Sequence, residues 1–330
     1  MIETRAYARA GLLGNPSDGY CGKTISISVK NFGAHVTLYE SPELRIEPQP
    51  EDLNVFRNIH ELVESVRLTG YYGGVRLIKA AIKTFYDYCT EQGLRLNGKN
   101  FTIRYRSSIP RQVGLAGSSA IITATMRALM QFYRTDIPKE ILPSLILRAE
   151  REELGISAGL QDRVIQVYEG CVYMDFGREL MEKEDHGRYE PLDPALLPDL
   201  YIAYRTDLSK ISGKVLNDIR ARYEAGDPLV VETLAEIARL AEEGRTALLN
   251  RDTGTLGKLM NRNFDLRRKI MHIDPVSLEM VETARRCGAP AKFCGSGGSI
   301  IGLYTDSEML TRLIVELRKL NVRVIRPYVL

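Results

Sequence analysis

The segment Pro110-Arg111-Gln112-Val113-Gly114-Leu115-Ala116-Gly117-Ser118-Ser119-Ala120 constrains this chain more than any other. The alternating run 101–106 (FTIRYR) leads into it as a strand, and the apolar run from Ala120 to Phe132 leaves it as a buried helix. Pro110 ends the strand, while Gly114 and Gly117 let the backbone turn tightly and approach a ligand without a Cβ in the way. Ser118 and Ser119 open the helix, whose unpaired amides and positive dipole end favour an anion. Ser119 also offers a hydroxyl to a magnesium ion, a hard cation that prefers oxygen. The same residues suit an ordinary tight turn closed by a serine cap, so on Gly and Ser alone both readings stand.

Around this junction, strands and helices interleave without steady alternation. Ile25, Ile27 and Val29 alternate with Ser26 and Ser28, and Val36 and Leu38 resume the pattern after a turn near Asn31 to Gly33. Helical stripes follow at Val55, Ile59, Leu62, Val63 and Val66, and at Val75, Ile78, Ile82, Phe85 and Cys89, with a break at Gly70 to Gly74 between them. Further helices are expected at 138–153 and 158–168 and a strand at 171–176. The polar stretch from Arg178 to Pro198, with Pro191 and Pro194, reads as a crossing between domains. A strand near 199–205, helices between 213 and 286, a strand through 291–303, a helix at 307–319 and a last strand at 322–329 complete the chain. This order predicts an α+β protein of two domains, divided as 1–190 and 191–330.

Composition narrows the functions. The 330 residues suffice for two cores, and 45 Lys+Arg against 42 Asp+Glu leave a net charge of +3. That near-neutrality excludes a general electrostatic footprint for nucleic acid or an anionic membrane. No apolar run has the length of a membrane span, and Met1-Ile2-Glu3-Thr4-Arg5 lacks the apolar core of a secretory signal. Five scattered cysteines suit a reduced cytoplasmic setting. Four histidines far apart speak against a zinc site or a Ser-His-Asp triad.

Two more loops could meet a phosphate. Ser17-Asp18-Gly19-Tyr20-Cys21-Gly22-Lys23-Thr24 approaches the P-loop pattern, but a strand follows it where a helix is needed. Its lysine and aspartate remain suited to gripping a polar substrate. Cys294-Gly295-Ser296-Gly297-Gly298-Ser299 precedes a strand, where glycines mark a bulge or a close approach. Among carboxylates, Asp162 sits at the start of a largely apolar helix, costly without a partner or a task such as accepting a hydroxyl proton. Glu150 lies in the charged run Arg148 to Glu153 and reads equally as part of a solvated face, as does Arg9 on an edge strand.

Taken in order, three segments resemble the GHMP kinase superfamily: Ala8-Arg9-Ala10-Gly11-Leu12-Leu13-Gly14-Asn15, Pro110 to Ala120, and Ala291 to Gly298. Within it, Leu13 to Asp18, Gln112 to Ile121 and Gly159 to Arg163 are most similar to the glucuronokinases. The resemblance implies an N-terminal mixed α/β domain with the phosphate-binding loop and a C-terminal ferredoxin-like α+β domain. It implies ATP- and Mg2+-dependent phosphorylation of a sugar, at the anomeric hydroxyl of a uronic acid such as glucuronate. A kinase for another sugar, a heptose or a mevalonate-like alcohol stays open, as does a catalytically silent nucleotide-binding regulator. By the same resemblance Asp162 is the catalytic base, with Arg9 and Lys23 stabilising charge. Pro110, Arg111, Gln112, Val113, Gly114, Leu115, Ala116, Gly117, Ser118, Ser119 and Ala120 bind ATP, and Ser119 and Glu150 hold magnesium. Asn15, Asp18, Tyr20, Gly295, Ser296 and Gly297 face the sugar. A uronate also needs a cation for its carboxylate; the resemblance does not assign one, and Lys23 and Arg111 are the candidates. The expected partners are a small-molecule sugar and, at most, a second copy of the chain. The sequence departs from the superfamily at Ala8-Arg9-Ala10-Gly11, at Asn15-Pro16 and at Ser296 and Ser299, and the second of these bears on the choice of sugar.

Overall fold

The computed structural model describes residues 1–49, 52, 73–207 and 215–329. The helical stripe expected at Val55 to Val66, and most of the break after it, lie outside the described residues.

Alternating residues build a first sheet on a long antiparallel hairpin of β1 (Ile2–Leu13) and β2 (Lys23–Glu40). One edge of β2 carries β1. The other is shared by β5 (Cys171–Asp175), opposite residues 23–27, and β4 (Phe101–Ser107), opposite residues 34–40. Beside β4 lies the parallel β3 (Arg45–Glu47), and beside β5 the antiparallel β6 (Arg188–Leu192). Register shifts at Tyr7/Ala8 and Gly11/Leu13 interrupt the hairpin, as bulges do where a strand bends. Between the two shifts β1 also reaches the second half of the chain: the Gly11 amide donates to the Cys294 carbonyl at 2.8 Å.

Among the described residues, the helices between β3 and β5 are α1 (Gly74–Glu91), α2 (Gly117–Tyr133), α3 (Leu142–Arg151) and α4 (Gln161–Tyr168). The α2 helix packs on β1 and β2 and also meets α1, α3 and α4. Ser119 to Met126, Ala128 and Leu129 are therefore all buried, which explains an apolar run with no polar face. The stretch from Arg178 holds α5 (Arg178–Glu184) and the strand β6 rather than an extended crossing. Pro191 is tolerated there because β6 is an edge strand.

The second sheet has the order β10-β7-β9-β8, all antiparallel, from β7 (Leu200–Arg205), β8 (Lys292–Phe293), β9 (Ser299–Leu303) and β10 (Val322–Ile325). That is the strand order of a ferredoxin-like βαββαβ unit. Between β7 and β8, where such a unit has one helix, the described residues hold α6 (Val215–Glu224), α7 (Pro228–Leu249), α8 (Thr253–Ile270) and α9 (Pro275–Arg286). Between β9 and β10 runs α10 (Ser307–Arg318). The expected strand through 291–303 is broken into β8 and β9 by the glycine turn, closed by Cys294 N to Ser299 O at 3.0 Å. Among the described residues no helix is long and apolar enough to cross a membrane.

Candidate active site

A cleft of about 570 Å³ opens where the start of α2, the start of α4 and the turn between β8 and β9 converge. Ala116 takes a left-handed conformation, φ 61°, so the helix begins at Gly117 with no side chain capping its first amides. Those amides have no acceptor inside the helix and are available to an anion. Ser118 faces the cleft, and its Oγ donates to Glu150 Oε1 at 2.7 Å.

From that contact a chain of alternating charge runs through the protein. Glu150, fully buried near the end of α3, accepts on Oε2 from Arg163 Nε at 2.6 Å and from Arg163 Nη2. Arg163 Nη1 donates to the Gly159 carbonyl at 2.8 Å and lies 3.4 Å from Asp162 Oδ2. Asp162 in turn receives Arg9 on both oxygens, Nε to Oδ1 at 2.5 Å and Nη2 to Oδ2 at 2.7 Å. Arg9 Nη1 completes the set by donating to the carbonyls of Gly114, at 2.5 Å, and Cys294, at 3.2 Å. One guanidinium from β1 thus ties the phosphate-loop candidate, the α4 carboxylate and the late glycine turn together.

The electrostatics follow from this pairing. Burial pushes the Asp162 carboxyl up, but Arg9 and Arg163 outweigh it and hold the group below its ordinary value, ionised at neutral pH. Asp18, whose Oδ2 accepts from the Gln161 amide at 3.2 Å, has no such guanidinium on its oxygens among the described residues. Burial, then the charge of Asp162, raises it to about 6.

Gly114 has φ 69°, and a Cβ there would come within 2.9 Å of the Gly297 carbonyl and 3.0 Å of the Ser296 amide. The two glycine segments, far apart in sequence, touch each other at this point. Of the loop, Pro110, Arg111, Gln112, Gly114, Leu115, Ala116, Gly117 and Ser118 line the cleft, while Val113 and Ala120 turn into the core. Asn15, Asp18, Gly295 and Ser296 line it as well.

Besides Val113 and Ala120, four expected site residues fall elsewhere. Ser119 is fully buried and gives its hydroxyl back to the Ala116 carbonyl at 3.2 Å. The helix start at Gly117 fixes this: successive residues turn by about 100°, so only one serine of the pair can face Glu150. Lys23 points away from the cleft to Glu242 and to Asp175, 3.6 Å away. On an alternating strand its neighbour Thr24 takes the buried face. Tyr20 packs its ring at a tilt against Tyr223, centroids 4.8 Å apart, beside the small core of Ile219, Val230, Leu234 and Ile270. Gly297, φ 135°, lies in the turn but outside the cleft lining.

The family model described as "GHMP kinases N terminal domain" matches residues 76–170, and that described as "GHMP kinases C terminal" matches residues 245–322. The chain belongs to the GHMP kinase family. Its relatives include the Arabidopsis thaliana proteins "Probable glucuronokinase 2" and "Glucuronokinase 1". The first is 49% identical, the second 47%, each with 96% of this chain and 88% of the relative covered. The solved mevalonate kinase of Methanococcus jannaschii has the same fold, with TM-score 0.70 at 22% identity over 99% of this chain and 98% of that one. So does Lactococcus lactis galactokinase, with TM-score 0.77 at 14% identity over 99% and 93%.

This GHMP kinase is therefore an ATP-dependent phosphotransferase acting on an alcohol group. Its oxygen donors suit a hard divalent cation: Ser118 Oγ and Glu150 Oε1 stand together at the helix start, and Arg163 takes the other Glu150 oxygen. Magnesium needs few protein ligands, because it keeps waters and takes phosphate oxygens as well. Two residues that line the cleft escape a reading of the sequence. Arg163 is a charge inside an apolar helix, a signal that was available but is common to capped and paired helix starts. Arg267 sits in the run Arg267-Arg268-Lys269 at the end of α8, where basic residues ordinarily complement the helix dipole in solvent. The structure instead buries Arg267 and sets it in the cleft wall.

Proposed function

We propose that this GHMP kinase transfers the γ-phosphoryl group of ATP, with Mg2+, to the anomeric hydroxyl of a uronic acid, converting glucuronate to glucuronate 1-phosphate. The observation that carries this reading is the ionised Asp162, clamped by Arg9 beside the uncapped start of α2. The choice of acceptor rests on the glucuronokinase relatives, alike over nearly the whole chain.

In this reading the amides from Gly114 to Ser118 take the triphosphate, and Ser118 with Glu150 holds the metal. Magnesium, when bound, neutralises charge on the phosphate oxygens. Arg163 holds the other Glu150 oxygen and keeps the carboxylate aimed at Ser118. Asp162 accepts a hydrogen bond from the acceptor hydroxyl and orients its oxygen in line with the γ-phosphorus. As the new O–P bond forms and the bond to the ADP oxygen breaks, the hydroxyl proton passes to Asp162. A carboxylate held low in pKa is a weak base, which suits a loose transfer to a comparatively acidic anomeric hydroxyl, with the proton leaving late. Asp18 holds a further sugar hydroxyl, and Asn15, Gly295 and Ser296 complete the wall.

The test is ADP release by purified protein offered glucuronate, galacturonate, glucose, galactose, a heptose and mevalonate, with the product identified by phosphorus NMR. A 1-phosphate of glucuronate as the preferred product is expected. A clear preference for a neutral sugar or mevalonate overturns the acceptor, and tight ATP binding with no acceptor turned over makes the protein a regulator instead.

A further inference from the structure

Besides Arg111 in the loop before α2, the cleft is lined by Arg9, Arg163 and Arg267, and the first two are engaged by carboxylates. Arg9 is held by Asp162, and Arg163 by Glu150 and Asp162. The third, Arg267 in the last turn of α8, is 2% exposed and lines the cleft. Its described contacts are neutral: Nε donates to Met271 Sδ at 3.1 Å, and the guanidinium carbon lies 5.3 Å from the centre of the Phe293 ring. Nη1 is buried with no hydrogen-bond partner among the described residues. A cation in that state is costly in the free protein, because its lost hydration is not replaced. Burial and the neighbouring charge of Arg9 lower its pKa to about 10, so it stays protonated at neutral pH; Asp18 is the acidic group that acts on it in the other direction.

We propose that Arg267 is the residue that recognises the acceptor's carboxylate. The inference rests on the uronate reading above and supplies the cation that reading lacks. The other candidates are placed worse. Lys23 is engaged outside the cleft, and Arg111 belongs to the exposed loop that leads into α2. A guanidinium fork matches a carboxylate in two-point geometry, and an open N–H in a buried wall gives an anionic acceptor an advantage a neutral one lacks. Arg267 would then set the choice between a uronate and the sugar bearing a hydroxymethyl group in its place.

The experiment compares kcat/KM for glucuronate and for glucose in wild type, Arg267→Met and Arg267→Lys. Displacement of a fluorescent ATP analogue verifies that each variant is folded. In Arg267→Met the glucuronate-to-glucose ratio should fall by roughly 100-fold, carried by KM for glucuronate. Arg267→Lys should recover part of it, which a purely packing role would not require. If both folded variants keep the wild-type ratio, the assignment of Arg267 is overturned while the uronate reading survives. If wild type itself does not phosphorylate glucuronate, the uronate reading falls, and this proposal with it.

Discussion

Arg9 and Asp162 face each other across 153 residues of sequence and form a two-point ion pair, 2.5 and 2.7 Å long, in the wall of the cleft. The pair fixes the carboxylate's orientation as well as its charge, because both oxygens are engaged in one plane. Replacing Asp162 by Asn preserves size and removes the charge. We expect kcat to fall by about 10³-fold while the dissociation constant for ATP stays near the wild-type value. Single-turnover rates and nucleotide titration check both; near wild-type turnover would remove Asp162 from the mechanism.

The two adjacent serines give opposite predictions. Ser118→Ala removes the hydroxyl beside Glu150 and should raise the magnesium concentration for half-maximal rate by about tenfold. Ser119→Ala removes a hydroxyl that, among the described residues, bonds the Ala116 carbonyl inside the loop, so the magnesium dependence should be unchanged and stability should drop by about 1 kcal/mol. Metal titrations and thermal melts on the two variants distinguish them, and reversal of the pattern would refute the placement of the helix start.

Asp18 predicts a pH effect on acceptor binding. Its raised pKa, about 6, leaves it protonated below that pH and ionised above it, and only the ionised form accepts hydrogen bonds on both oxygens. The acceptor KM should therefore rise as pH falls through about 6, an inflection that Asp18→Asn should abolish. Since the charge of Asp162 contributes to the shift after burial does, Asp162→Asn should move the inflection, read as acceptor binding, to lower pH.

Gly114 and Gly117 look alike in the sequence and differ in the fold. At Gly114 a Cβ meets the Gly297 carbonyl on a backbone with φ 69°, so Gly114→Ala should cost about 1–3 kcal/mol and weaken ATP binding. At Gly117 the nearest atom to a Cβ is 3.6 Å away on Ile109 and the backbone is helical, so Gly117→Ala should melt near the wild-type temperature. Differential scanning of the two proteins, with and without nucleotide, is the measurement.

Much of the molecule was determined by the sequence alone. The period-two run in β2, the apolar α2 behind Gly114 to Ser119, the α+β order of elements and the likeness of three short motifs to GHMP kinases all depend on neighbours within a few residues. Local spacing is what backbone geometry reads. The tertiary structure decided what local spacing cannot carry. It chose Ser118 over Ser119, because that depends on where α2 starts relative to Glu150 on another helix. It gave Glu150 an arginine and a buried site, although the charged run around it resembles a solvated face. It turned Lys23 outward, since the strand beside it and α7 behind it fix which face is which. It also carried Arg267 from an apparently ordinary basic helix end into the wall of the cleft. A side chain's partner is set by elements packed against it from far along the chain, and for ionisable groups that partner decides both charge and task.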